Sequence, residues 1–92
     1  MDAFETAVQK IIKAQEGIIG PLAVEQAQKV DGLKIDSSSN KIILSGDEKK
    51  ILQSLVEKYE GIFGQTSVEV CKHAVRDILP QLPQDQIPPL LR

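Results

Sequence analysis

The sequence predicts a mainly α protein. Two duplicated helix–turn–helix hairpins form a small four-helix bundle, with a short β-hairpin insert and an extended Pro-rich C-terminal tail. Three observations predict it. The phrase "EGIIG" at residues 16–20 returns as "EGIFG" at residues 60–64, 44 positions later (60 − 16 = 44). Laying residues 7–30 on 51–74 without a gap matches seven of 24 positions: Gln9/Gln53, Glu16/Glu60, Gly17/Gly61, Ile18/Ile62, Gly20/Gly64, Val24/Val68 and Glu25/Glu69. Self-similarity at a fixed offset is the signature of a repeated supersecondary unit. Apolar residues before each phrase follow helical spacing, whereas the stretch between the copies alternates as a strand does.

The first unit covers about residues 3–31. Asp2 is placed to cap its first helix, with Glu5 three residues on as the reciprocal partner. Phe4, Ala7, Val8, Ile11 and Ile12 then form one apolar face. Gly17 is expected to end this helix in the left-handed conformation, followed by an apolar residue, as a Schellman stop prefers. Gly20 and Pro21 open the next helix, since proline suits a first helical position.

Residues 33–45 read as a β-hairpin. Leu33 and Ile35 alternate with Lys34 and Asp36, "SSSN" is turn-forming, and Lys41 to Leu44 is β-branched and apolar. The second unit, about residues 47–79, repeats the logic of the first. Ser45 and Glu48 supply a capping pair, and Ile51, Leu52, Leu55, Val56 and Tyr59 form the apolar face. Gly61 is the expected helix stop, Gly64 the second turn glycine, and Thr66 with Glu69 a capping box for the last helix. Residues 1–79 thus make one helical domain. Residues 80–92, "PQLPQDQIPPLLR", hold four prolines in ten residues (Pro80, Pro83, Pro88, Pro89) and are expected to be extended.

Composition narrows the function classes. At 92 residues with 41% hydrophobic and 26% charged residues, the chain is an ordinary globular domain. Aromatics are only Phe4, Tyr59 and Phe63, so the core must be aliphatic. Charge is even along the chain. Three bases face five acids in residues 1–32, five face five in 33–64, and three face three in 65–92. No stretch is basic enough to follow a polyanion. One cysteine, Cys71, excludes an internal disulfide and suits a reducing compartment. No signal pattern or long apolar run is present, and a cytoplasmic location is expected, without membrane attachment.

The motifs that carry chemistry elsewhere are weak here. Helix–GxxG–helix turns clamp phosphates in KH domains, with bases beside them. Here the inner residues are Ile18, Ile19, Ile62 and Phe63, and Glu16 and Glu60 lead in. Tandem helix-hairpin-helix DNA binders offer a second comparison, but this chain has one extra apolar residue per turn and no base just after it. Nucleic-acid binding through the GxxG turns is therefore the alternative reading. Cys71 and His73 are two residues apart, which on a helix points them in different directions, so they are no nucleophile–base pair. Cys71 matches Ala27 in the repeat and is expected to be core. No catalytic residue, metal ligand set or cofactor is expected.

The stretch "IIKAQEGIIGPLAVEQAQ", residues 11–28, resembles a small helical module at the C-terminal ends of some bacterial signalling proteins. Gly20, Pro21, Leu22 and Ala23 are the matching residues; the second copy has Gln65, Thr66 and Ser67 after its glycine. The resemblance implies an accessory role in signalling. The expected function is accordingly a non-catalytic protein–protein interaction or regulatory module with a protein partner, forming a homodimer. Ile42, Ile43 and Leu44 on the hairpin edge, and Ile87, Leu90 and Leu91 in the tail, are the expected partner-binding residues. Both have a second reading, in which the tail packs on its own bundle and the β-hairpin caps the core.

Overall fold

The computed structural model describes residues 3–36 and 41–92. Helix α1 (Ala3–Ile19) buries Phe4, Ala7, Val8, Ile11, Ile12 and Gln15 on one face. A turn at Gly20 leads to α2 (Leu22–Ala27), which buries Ala23 and Ala27. Strands β1 (Leu33–Asp36) and β2 (Lys41–Leu44) pair antiparallel, with Leu33 opposite Leu44 and Ile35 opposite Ile42. Helix α3 (Glu48–Phe63) buries Ile51, Leu52, Leu55, Val56 and Tyr59. A second turn, at Gly64, leads to α4 (Gln65–Val75), which buries Ser67, Val68, Cys71 and Val75. The expected cap at Asp2 and the "SSSN" turn lie outside the described residues. No helix of the described residues is long and apolar enough to cross a membrane.

One aliphatic cluster joins all four helices, the hairpin and the C-terminal segment. Tyr59 is its largest fully buried side chain. Each such burial contributes roughly 1.5–3 kcal/mol for an aliphatic or aromatic side chain. In the hairpin, the inward side chains are Leu33, Ile35, Ile42 and Leu44, while Lys34, Asp36, Lys41 and Ile43 face solvent. This is the period-two pattern of a sheet covered on one side.

The helix stops differ from the sequence expectation. Gly17 and Gly61 lie inside α1 and α3, and the positive φ falls on Gly20 (63°) and Gly64 (65°). Each of these glycines donates its N–H to the carbonyl four residues back, Gly20 to Glu16 (2.9 Å) and Gly64 to Glu60 (2.7 Å). The reason is burial. Three more helical residues bring Ile19 and Ile62 onto the core at spacings of four and three from the buried Gln15 and Tyr59. A glycine inside a helix costs only about 0.5–1 kcal/mol relative to alanine, so packing wins.

Two caps also differ. Asp47, not Ser45, caps α3, its carboxylate accepting from the N–H groups of Lys49 (3.0 Å) and Lys50 (3.3 Å). Ser45 is held back at the hairpin exit, where its N–H donates to the Gly32 carbonyl at 2.7 Å. Helix α4 begins at Gln65 with no side-chain cap, which places Thr66 inside the helix. Glu69 instead accepts from the Gln65 side chain at 2.9 Å.

The C-terminal segment is not extended. It forms three 3₁₀ turns, Leu79–Gln81, Gln84–Gln86 and Pro89–Leu91. Leu82, Ile87, Pro88 and Leu91 are buried. The last turn packs on α3 and α4, where the Leu90 N–H donates to the Gln53 side chain at 3.4 Å. Arg92 closes the segment by donating to the carbonyls of Ile87 (3.2 Å) and Gln84 (3.0 Å). Proline fixes φ near that of a 3₁₀ turn, so these residues order at reduced entropic cost while their apolar neighbours reach the bundle. The β-hairpin packs on α1 and α2.

Candidate interaction surface

The two glycine turns come together at one end of the bundle, and two buried hydrogen bonds hold them there. The Gln15 amide donates from Nε2 to the Ser67 carbonyl at 3.2 Å. The Tyr59 hydroxyl donates to the Ala23 carbonyl at 2.7 Å. Each bond runs from the last turns of one long helix to the start of the short helix in the other hairpin. Their donors are 44 residues apart (59 − 15) and so are their acceptors (67 − 23). Because Ala23 and Ser67 sit three residues past Gly20 and Gly64, both turns are drawn to the same end.

The polar core beneath that end is partly satisfied. Gln15 is fully buried, and Nε2 also donates to Cys71 Sγ at 3.3 Å. Gln15 Oε1 and Ser67 Oγ are buried without hydrogen-bond partners. Burial pushes the Cys71 thiol up to about 11, against the lowering effect of the Gln15 bond. Burial likewise raises Tyr59 well above the usual phenol range, with the charges of Cys71 and Glu16 adding to it. Both groups are therefore neutral at physiological pH. His73 is exposed on α4 and faces away from Cys71, which excludes a cysteine–histidine pair.

The two turns expose large apolar side chains beside the polar residues Glu16, Gln65 and Thr66. Four large apolar side chains are exposed among the described residues: Ile18 (50%), Phe63 (49%), Ile43 (46%) and Leu22 (37%). Three of the four stand on the two turns, where Ile19 and Ile62 beside them are half-buried. A groove of about 320 Å³ runs from this end between α1 and α4. Ala14, Val70 and Ala74 line it, with Thr66, Glu69 and His73 at its edges. Ala14 is one helical turn before Ile18, so groove and turn end share a face. A second cleft of about 220 Å³ lies between α1, α2 and the hairpin, lined by Ile12, Val24, Ile35 and Ile42 with Lys13 and Glu16 beside them.

The residues expected to bind a partner fare differently. Ile42 (4%), Ile87 (8%) and Leu91 (2%) are buried in the chain's own core. They are corrected from partner contacts to core residues, because the hairpin and tail cover the helix pairs rather than stand away from them. Leu44 and Leu90 are partly buried against the same core. Only Ile43 is exposed, and its neighbours on that face are Lys34, Asp36 and Lys41. A lone apolar residue among charges is ordinary surface, and lysines blunt an edge strand. Of the expected turn residues, Gly20, Pro21 and Gly64 are at the turns, whereas Gly17 and Gly61 are helical. Sequence reasoning places Ile18, Ile19, Ile62 and Phe63 inside the GxxG turns and does not count them among the partner contacts. Their place inside the turn phrases was the available signal. No protein-family model, curated protein or solved structure matches the chain.

Proposed function

We propose that the protein is a non-catalytic interaction module that docks a protein partner through the end of the bundle formed by its two glycine turns. One observation carries this reading: three of the four exposed large apolar side chains, Ile18, Leu22 and Phe63, belong to turns that the Gln15 and Tyr59 hydrogen bonds draw together. Scattered single apolar residues need no explanation, but a contiguous apolar patch marks association. The repeat supports a rigid surface. We infer that the chain is a duplicated helix–turn–helix unit about a pseudo-twofold axis, and the paired hydrogen bonds at matching positions support this. Hairpin and C-terminal segment then serve as equivalent covers of the two halves. The accessory role in signalling implied by residues 11–28 fits such a module.

A photo-crosslinking residue at Phe63 or Ile18, compared with one at Ile43, tests the reading in a lysate of the source cells. Protein adducts are expected from positions 18 and 63 and not from 43. Adducts from position 43 alone would overturn the choice of surface. A salt-dependent shift of the protein with single-stranded RNA or duplex DNA would overturn the function in favour of nucleic-acid binding.

A further inference from the structure

The cleft between α1, α2 and the β-hairpin has an apolar lining and a rim that carries one charge of each sign. Ile12 and Ile42 are buried and Val24 and Ile35 half-buried in that lining. Gln9, Lys13 and Glu16 follow one another along α1 at spacings of four and three, so they form one stripe beside it, with neighbouring Cβ atoms about 5–6 Å apart. Among the described residues these three side chains make no hydrogen bond or ion pair. The place related to this one by the offset of 44 residues is Gln53, Val56, Glu57, Glu60 and Val68. There Gln53 Nε2 donates to Glu57 Oε2 at 3.3 Å, and Gln53 Oε1 accepts from the Leu90 N–H at 3.4 Å. The second unit thus satisfies its own glutamine and sets two acids beside it. The first unit has Lys13 where the second has Glu57, and its glutamine, its cation and its acid are all unpartnered.

We propose that this cleft binds a free α-amino acid with an aliphatic side chain of about the size of leucine. Its volume of about 220 Å³ lies below the roughly 300–1,000 Å³ of pockets that take drug-sized ligands, and suits a ligand of about nine non-hydrogen atoms. The ligand carboxylate accepts from Lys13 Nζ and the Gln9 amide. Its ammonium donates to Glu16, one helical turn further on. Its side chain covers Ile12, Val24, Ile35 and Ile42. Each rim group gains a charge-assisted partner, and aliphatic surface leaves water on both sides. The two charges choose the class. A simple carboxylic acid sets its charge beside Glu16 with nothing to answer it, an amine does the same beside Lys13, and a peptide end carries only one of the two groups. The site is apart from the partner surface proposed above and does not depend on it.

The test is an NMR titration of the full chain, reading backbone amide shifts against four probes. They are L-leucine, isocaproate (leucine without its ammonium), isoamylamine (leucine without its carboxylate) and L-alanine (both charges, no aliphatic chain). Leucine should bind saturably with a dissociation constant on the order of 1 mM, as befits so small a ligand, and should shift amides in residues 9–16 and at Val24, Ile35 and Ile42. The other three should bind more weakly, isocaproate and isoamylamine by about two- to fivefold, the range of one exposed ion pair. Lys13→Gln should weaken leucine and isocaproate by about the same factor and should not weaken isoamylamine. Glu16→Gln should weaken leucine and isoamylamine and should not weaken isocaproate. Lys58→Gln, at an exposed position outside the cleft, should change none of them. All three substitutions are at exposed positions, so the fold is kept. Absence of a saturable leucine shift up to about tenfold above that concentration overturns the proposal. So do shifts centred outside the cleft, equal affinity for all four probes, or equal effects of the three substitutions.

Discussion

Replacing Gln15 by methionine should leave the protein as stable as before or make it more so by about 1 kcal/mol, although the residue is fully buried and hydrogen-bonded. The argument is a comparison of two effects. The amide donates to the Ser67 carbonyl (3.2 Å) and Cys71 Sγ (3.3 Å), while Oε1 has no partner. A typical hydrogen bond contributes about 0.5–1.5 kcal/mol net, and a sulfur acceptor less, whereas an unsatisfied buried acceptor costs about 1–3 kcal/mol. Methionine removes both. It leaves no new orphan at Ser67, because that carbonyl already lies in α4, where helix geometry pairs it with the N–H of Cys71. It also fills nearly the same unbranched space beside Ser67 and Cys71. Tyr59→Phe is the contrast. It removes the 2.7 Å bond to Ala23 and relieves nothing, so it should destabilise by about 0.5–1.5 kcal/mol. Urea unfolding followed by circular dichroism measures both, and in a domain this size about 1 kcal/mol moves Tm by roughly 4–8 °C. Loss of about 2 kcal/mol or more in Gln15→Met would refute the reasoning, since it would mean that Oε1 is satisfied in the folded protein.

Three further predictions follow from the same structure. Gly61→Ala should stabilise by up to about 1 kcal/mol, since Gly61 is exposed in the last turn of α3 with helical backbone and open space for a Cβ, whereas Gly64→Ala at φ 65°, ψ −145° should destabilise by about 1–3 kcal/mol; urea midpoints of the two variants check the opposite signs. Stability should fall as pH rises from 9 toward 11, because the unfolded Cys71 thiol ionises from 9.0 while the folded one, raised to about 11, keeps its proton, a contribution of at most about 1.4 kcal/mol per unit; Cys71→Ala should remove the part of the slope that begins at 9 and leave the part that Tyr59, raised from 10.0, adds from about 10 upward. Truncation after Leu79 should destabilise the protein by several kcal/mol, since it strips Leu82, Ile87, Pro88 and Leu91 from the core; unchanged thermal melting would refute the packed tail.

Much of the architecture was legible in the chain itself. Ile11, Leu55 and their neighbours repeat at helical spacing, and Leu33, Ile35, Ile42 and Leu44 alternate as one covered sheet face, because side-chain periodicity is set by backbone geometry alone. The doubled phrase placed the two turns to within a few residues. Which glycine of each pair turns the chain was a tertiary decision: Gly17 and Gly61 are as competent locally as Gly20 and Gly64, and only the burial of Ile19 and Ile62 chooses between them. The prolines excluded a long helix after Leu79, but an extended strap and a set of 3₁₀ turns are locally close in energy. The exposed flank of α3 and α4 decided for the turns. The candidate surface followed the same rule. Ile42 and Ile43 are chemically identical, and Leu91 and Phe63 are both large and apolar, yet burial separates the members of each pair. The crossing bonds of Gln15 and Tyr59 join positions 52 and 36 residues apart. No local pattern encodes such contacts, because they exist only once the two hairpins pack.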